Sequence, residues 1–376
     1  MRTVCFLLAL GPAAALSLAC GVQDAPTDES AAQAVEASTR FALAPGTERI
    51  KQHTGWPGDL AEIQKKSLDL KNAYWMARLS QLAYRGEAEL KSELEAIGLA
   101  TDAEHFRFFE NTCTDTQAFY VSTAPLSAPP ATVENPYRNA SPDVAVLAFR
   151  GTERGNATDI KTDLLAWNRP NVLPAGNVHA GFHGALMSVW EKPSDARCSK
   201  SEPIGPFLRQ HHVFDSRNAR PTRKGAELYV TGHSLGGALA TLALTKTAVE
   251  QCENEGGRSR EEPCFRLYTP VSALITFGAP RTGDRSHGTL LADWMQDRTP
   301  IYRFVHGRDG VTNIPSAGWY HPGFDGDDEK TFKVHVGDNP LRMAVADHGE
   351  RGDGSLVGDH MLPGYLGVLQ KLVTGK

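Results

Sequence analysis

The sequence predicts an α/β protein with a central, mostly parallel sheet flanked by helices, and three observations carry that expectation. Apolar β-like runs alternate with helical stretches through the second half of the chain, the pattern of strands joined by crossover helices. The pentapeptide Gly232-His233-Ser234-Leu235-Gly236 lies between a β-like run, 227–231, and an Ala/Leu-rich helical run that starts at Gly237. A chain of 376 residues, 41% of them hydrophobic, can bury the core of one large α/β domain or two smaller ones.

The elements follow in chain order. Residues 60–98 read as helical, with Ala73, Met76, Ala77, Ser80 and Tyr84 recurring at three- and four-residue steps as a buried stripe. Residues 106–109, 118–121 and the apolar run 144–149 begin a sheet, and the Pro- and Asn-dense stretch 125–142 between them is a loop. Strand 227–231 and helix 235–251 follow, then strand 271–277, helix 289–295, strands 301–305 and 331–336, and a terminal helix 361–373. The polar stretch 191–224 reads as an insertion that shapes the acyl or leaving-group side of a site.

Charge and cysteines narrow the classes. A net charge of -5 leaves no basic footprint for nucleic acid, and nothing after residue 20 is long and apolar enough to span a bilayer. Residues 1–20 read as an export signal, with Arg2 ahead of an apolar run. Its end, Leu16-Ser17-Leu18-Ala19-Cys20, resembles a bacterial lipobox that would make Cys20 a lipidated membrane tether, and it also fits an ordinary small-x-small cleavage site followed by secretion. The linker 21–55 is too polar to fold alone, and residues 56–376 form the folded domain. Cys113, Cys198, Cys252 and Cys264 allow three disulfide pairings, of which Cys252 with Cys264 is sterically easy and would leave Cys113 with Cys198. No metal-ligand spacing is present and no cofactor is expected.

The chemistry centres on Ser234. A strand, sharp turn and helix around a G-x-S-x-G sequence pushes the serine hydroxyl out above the sheet, which makes Ser234 the candidate nucleophile. A serine hydroxyl is a weak nucleophile near neutral pH, so it needs an imidazole to take its proton and an acid to orient that imidazole. Asp309, in a loop after strand 301–305, is the leading acid, with Asp284 and Asp338 as competitors. Two Asp-His pairs offer the base, His348 and His360. His360 is preferred because it enters the terminal helix, whereas His348 sits in a polar, glycine-rich excursion. His179, His233, His321 and His335 read as structural or surface histidines.

Five segments in this order resemble the class 3, fungal-type lipases: Phe149-Arg150-Gly151-Thr152, His179-Ala180-Gly181-Phe182, Gly232 to Gly237, Phe277-Gly278-Ala279-Pro280-Arg281, and Tyr302-Arg303-Phe304-Val305 leading to Asp309. The resemblance spans roughly residues 70–373. It implies an α/β-hydrolase fold, hydrolysis of carboxylic esters of lipids, and the order Ser234, Asp309, His360. It also implies a tyrosine near the base, for which Tyr365 is placed, and an oxyanion hole from the amides of Leu235 and Thr152. The lid of such enzymes would be 153–162, which offers only Ala157 and Ile160 as an apolar face. A phospholipase, a short-chain or aromatic-acid esterase, and a catalytically silent binding lipoprotein are the alternatives. Oligomeric state is not legible. Arg351-Gly352-Asp353 and the acidic run 325–329 read as a chance tripeptide and a solvated turn.

Overall fold

The computed structural model describes chiefly residues 70–127, 143–152, 176–212, 226–254, 271–295, 301–321 and 358–374, apart from a few positions within them, together with short paired segments elsewhere. The chain divides into a unit of residues 1–42 and a unit of residues 43–376. In the first, Val4–Cys5 pairs antiparallel with Cys20–Gly21. The second carries the main sheet.

Six strands form that sheet: β1 (Phe106–Asn111), β2 (Thr116–Ser122), β3 (Val144–Phe149), β4 (Glu227–His233), β5 (Val271–Phe277) and β6 (Ile301–Phe304). They lie side by side in sequence order. β1, β2 and β3 pair antiparallel, while β3 to β6 run parallel. This is a mostly parallel sheet with helices on its faces. β2 and β3 are buried along their whole length, as strands covered on both faces must be.

The helices are α1 (Leu70–Leu82), α2 (Glu87–Ala96), α3 (Ala180–Trp190), α4 (Ile204–His211), α5 (Leu235–Asn254), α6 (Arg285–Met295) and α7 (Leu362–Thr374). Strand alternation assigns them to faces. Leu228 and Val230 of β4 join one core with Leu239 and Leu242 of α5 and Phe182 and Leu186 of α3. Thr231 points the other way, 3.0 Å from Ser80 of α1. α7 packs on α1.

Three differences from the sequence expectation have local causes. The helical stretch 60–98 is two helices in its described part, because the chain turns at residues 83–86 and Gly86 takes an extended conformation as the N-cap of α2. The helices α3 and α4 are additional to those predicted. α4 lies inside the polar stretch 191–224 and is anchored by Phe207, which meets Phe109 and Tyr120 at ring-centroid distances of 5.6 and 4.9 Å. The described contacts of that stretch run to β1, β2, the turn at residues 112–113, α3 and α5, including an ion pair from Arg209 to Glu250 at 2.7 Å, and none of these reaches Ser234.

Cys113 and Cys198 form a disulfide. The partner pairing of Cys252 with Cys264 lies outside the described residues. So do the signal and linker apart from the paired segments, the lid 153–162, Asp338, His348, the acidic run 325–329 and the tripeptide 351–353. Of the predicted strand 331–336, His335–Val336 is described, pairing with Asn339–Pro340.

Candidate active site

β4 runs straight into the turn that carries Ser234. Among the described non-glycine residues only Asp115 and Ser234 have positive φ, and Ser234 stands at 58°. A side chain in this left-handed region is strained, and such strain collects where a side chain must be aimed. The turn closes tightly because Gly232 and Gly236 lack side chains: a Cβ on Gly232 would collide with the Gly236 backbone, and one on Gly236 with the Phe149 carbonyl. The Ser234 amide is tied to the end of β5 through the Phe277 carbonyl at 3.0 Å.

Asp309 follows β6. Its amide donates to the His306 carbonyl at 3.0 Å, and its Oδ1 accepts from the Val311 amide at 2.9 Å. Oδ2 is thereby left to face His360. His360 Nδ1 lies 2.8 Å from Asp309 Oδ2, and His360 Nε2 lies 2.8 Å from Ser234 Oγ. A carboxylate only accepts, so Nδ1 carries the proton and Nε2 is free to accept from the serine hydroxyl. Ser234, Asp309 and His360 are 3%, 1% and 5% exposed, which keeps this chain out of bulk water and strengthens each polar contact.

Tyr365 of α7 donates its hydroxyl to the same Asp309 Oδ2 at 2.6 Å. Burial raises its phenol well above the usual range, and the nearby Asp309 charge pushes it further. It stays protonated and donating.

The preferred acid and base of the sequence reading are therefore the pair that meets Ser234. Asp284 is engaged elsewhere, accepting from the Asn177 amide and side chain, each at 2.8 Å, and from the His287 amide at 3.0 Å. Leu235 opens α5, and Thr152 follows Gly151, at which an added Cβ would sit 3.2 Å from Ser234 Cβ. His179 caps α3, and His321 Nε2 meets the Thr312 carbonyl at 2.7 Å, in keeping with structural roles.

Sequence reasoning missed one link. His233 Nε2 lies 2.7 Å from the His360 carbonyl, and His233 Nδ1 lies 2.9 Å from the Tyr84 hydroxyl. The carbonyl accepts, so His233 donates from Nε2 and takes the tyrosine proton at Nδ1. This chain joins the turn after α1, the serine turn and the loop that carries His360. Tyr84 is visible in the sequence only as the last member of a buried stripe. Among the described residues no cluster of His, Cys, Asp or Glu could hold a metal ion.

Residues 146–319 match the family described as lipase (class 3). That match holds Ser234 and Asp309 and stops short of His360. The chain is 28% identical over 192 residues to triacylglycerol lipase OBL1 of Arabidopsis thaliana, covering 46% of this chain and 34% of the relative. It is 30% identical over 183 residues to a lipase of Rhizopus niveus, covering 48% of this chain and 37% of the relative. It is 26% identical over 185 residues to phospholipase A1-II 2 of Oryza sativa subsp. indica, covering 48% and 43%. The chain thus spans well under half the length of each relative.

Proposed function

We propose that this class 3 lipase-like chain is a serine carboxylic ester hydrolase acting on lipid esters. One observation carries the reading: the buried, hydrogen-bonded line from Ser234 Oγ through His360 to Asp309, with the serine held at positive φ. Ser234 Oγ attacks the acyl carbon as its proton passes to His360 Nε2, and Asp309 stabilises the imidazolium that results. The carbonyl oxygen, now negative, takes hydrogen bonds from the amides of Leu235 and Thr152. The first of these amides opens α5, where the N–H groups have no intrahelical acceptor and the helix dipole favours an anion. Losing one such donor costs roughly a hundred- to a thousand-fold in rate. The tetrahedral intermediate collapses, His360 returns the proton to the leaving alcohol, and water repeats the sequence on the acyl-enzyme.

Triacylglycerol is the first substrate class, in line with the name of the Arabidopsis relative. A phospholipase, or an esterase for short-chain or aromatic acids, is the second reading. The weakly apolar segment 153–162 and the rice relative named as a phospholipase favour it. We further propose export directed by residues 1–20, with linker 21–55 ahead of the domain 56–376. Cys20 is then either the lipidated tether of an envelope lipoprotein or the first residue after cleavage of a secreted protein.

A fluorophosphonate probe tests the chemistry. The folded protein is expected to be labelled, and Ser234→Ala to be unlabelled; equal labelling of the two removes the nucleophile. Hydrolysis of p-nitrophenyl esters of increasing chain length, beside emulsified triglyceride and phospholipid, separates the substrate readings. A preference for acetate or butyrate without attack on emulsions would remove the lipase reading.

A further inference from the structure

We infer that Arg150 is a positioning residue for the oxyanion side of the site, and that the hairpin turn 112–115, fastened by the Cys113–Cys198 bridge, is its anchor. This inference rests on the ester-hydrolase reading, because it assigns Arg150 to the placement of the Thr152 amide.

Arg150 is 8% exposed, and a buried guanidinium must find fixed acceptors. It donates to both the backbone carbonyl and the carboxylate of Asp115. The carboxylate is 81% exposed, so water screens the charge attraction and the pair adds little to stability by itself. What the contact supplies is a fixed point. Asp115 has φ 50°, a left-handed conformation that sets where its carbonyl points.

The turn around Asp115 is held from several sides. Asn111 Oδ1 accepts from the amides of Cys113 and Thr114 at 3.0 and 3.2 Å, and Asn111 Nδ2 donates to the Ser188 carbonyl of α3 at 3.0 Å. The hydroxyls of Thr114 and Ser188 lie 2.7 Å apart. The Thr112 amide donates to the Cys198 carbonyl at 2.8 Å, beside the covalent bond that joins Cys113 to Cys198 across 85 residues. Asn111 ties the turn to the end of β1, and the other tethers run to α3 or to the segment after it.

From Arg150 the chain leads directly to the site. The Arg150 amide donates to the Gln117 carbonyl at 3.0 Å, and the Gln117 side-chain amide donates to the carbonyls of Ala83 and Arg85 at 2.9 and 2.7 Å. Gly151 comes next, so tightly enclosed that an added Cβ would lie 2.6 Å from the His233 carbonyl and still nearer the Tyr84 hydroxyl. Thr152 is the following residue. Its amide is therefore carried on a peptide clamped by the hairpin at Arg150 and pressed against the serine turn at Gly151. A displacement of about 1 Å at a reacting centre can cost roughly a hundred-fold in rate. Arg150 faces Asp115, and the proposed effect on the site passes through this clamp.

The test compares the oxidised full-length protein with Arg150→Lys and with the double variant Cys113→Ser, Cys198→Ser. Lysine keeps the charge but, lacking the guanidinium plane, does not place a donor where Arg150 Nη2 meets the Asp115 carbonyl and carboxylate. The readouts are kcat and KM on a p-nitrophenyl ester, and the affinity of an alkyl boronic acid, whose tetrahedral adduct on Ser234 places an oxygen where the negative charge develops. For Arg150→Lys the expected result is a fall in kcat of about ten- to a hundred-fold, below the loss of a whole donor, with KM changed less than two-fold. The double variant is expected to lose about three- to ten-fold in kcat. Boronate affinity should fall in step with kcat/KM, which a merely structural role would not produce. Unchanged kcat and boronate affinity in both variants, or losses confined to KM, overturn the proposal. If Arg150→Lys does not fold, the double variant decides alone by the same criteria. Wild-type protein that neither hydrolyses esters nor takes a fluorophosphonate overturns the ester reading itself, a result seen before any variant is compared.

Discussion

Tyr365 donates its hydroxyl to Asp309 Oδ2, the same oxygen that faces His360 Nδ1. One carboxylate oxygen thus anchors both the candidate base and the terminal helix. Tyr365→Phe removes a charge-assisted hydrogen bond from a buried acceptor, which typically costs about 1.5–3 kcal/mol. Denaturant unfolding should register that loss, and kcat should fall about three- to ten-fold as the imidazolium loses part of its support. Because the phenol is held protonated by burial, the loss should be the same from pH 6 to 9.

Ser234 sits at a φ of 58°, a conformation that costs roughly 1–2 kcal/mol for a residue with a Cβ. Ser234→Gly and Ser234→Ala should both be inactive. The glycine variant should be the more stable by about 1 kcal/mol, since glycine enters this region freely while alanine keeps the strain. Equal melting temperatures for the two would argue against strain at the turn.

Gly278 also has positive φ, 58°, and a Cβ there would lie 2.7 Å from Asp309 Oδ2 and 3.0 Å from the His360 ring. Gly278→Ala is expected to lower kcat by about a hundred-fold or more by prising the acid from the base. Steady-state kinetics with a fold check by circular dichroism tests it. Near wild-type turnover would mean that the pair tolerates the displacement.

His287 is fully buried, and burial lowers its pKa to about 4, against a partial opposing pull from Asp284. Between that value and the unfolded value of about 6.5 the unfolded chain binds the extra proton, so stability rises with pH. The contribution is fully present above about pH 6.5 and is lost as pH falls toward 4, up to about 3 kcal/mol in all. His287→Gln should flatten the pH dependence of unfolding in that window. An unchanged slope would place the effect on other groups.

How far the sequence could be read depended on how local each signal was. β3 and β5 coincide with the apolar runs 144–149 and 271–277, because strands buried on both faces need continuous hydrophobicity. The serine turn was legible for the same reason, its glycines lying two residues to either side of Ser234. Asp309 and His360 needed the order of motifs as well, since Asp284 and His348 carry the same functional groups. α4 was hidden because it is short, carries Gly205 and Pro206 and lies within a polar stretch, so that Ile204, Phe207 and Leu208 are too few to show a helical period. The Tyr84–His233–His360 link was not legible at all, since it joins positions 149 and 127 residues apart through groups that have ordinary structural uses.

That link bears on where the working unit ends. The stretch that matches the class 3 lipases, 146–319, contains Ser234 and Asp309 but neither Tyr84 nor His360 nor Tyr365. α1 and α7, which pack on each other, bring those three residues in from opposite ends of the domain. A fragment trimmed to that stretch would keep the strained Ser234 without the imidazole that hydrogen-bonds it. Residues 70–145 and 358–374 thus hold the groups that complete the hydrogen-bonded line at Ser234, and any shortened version of this protein must retain both.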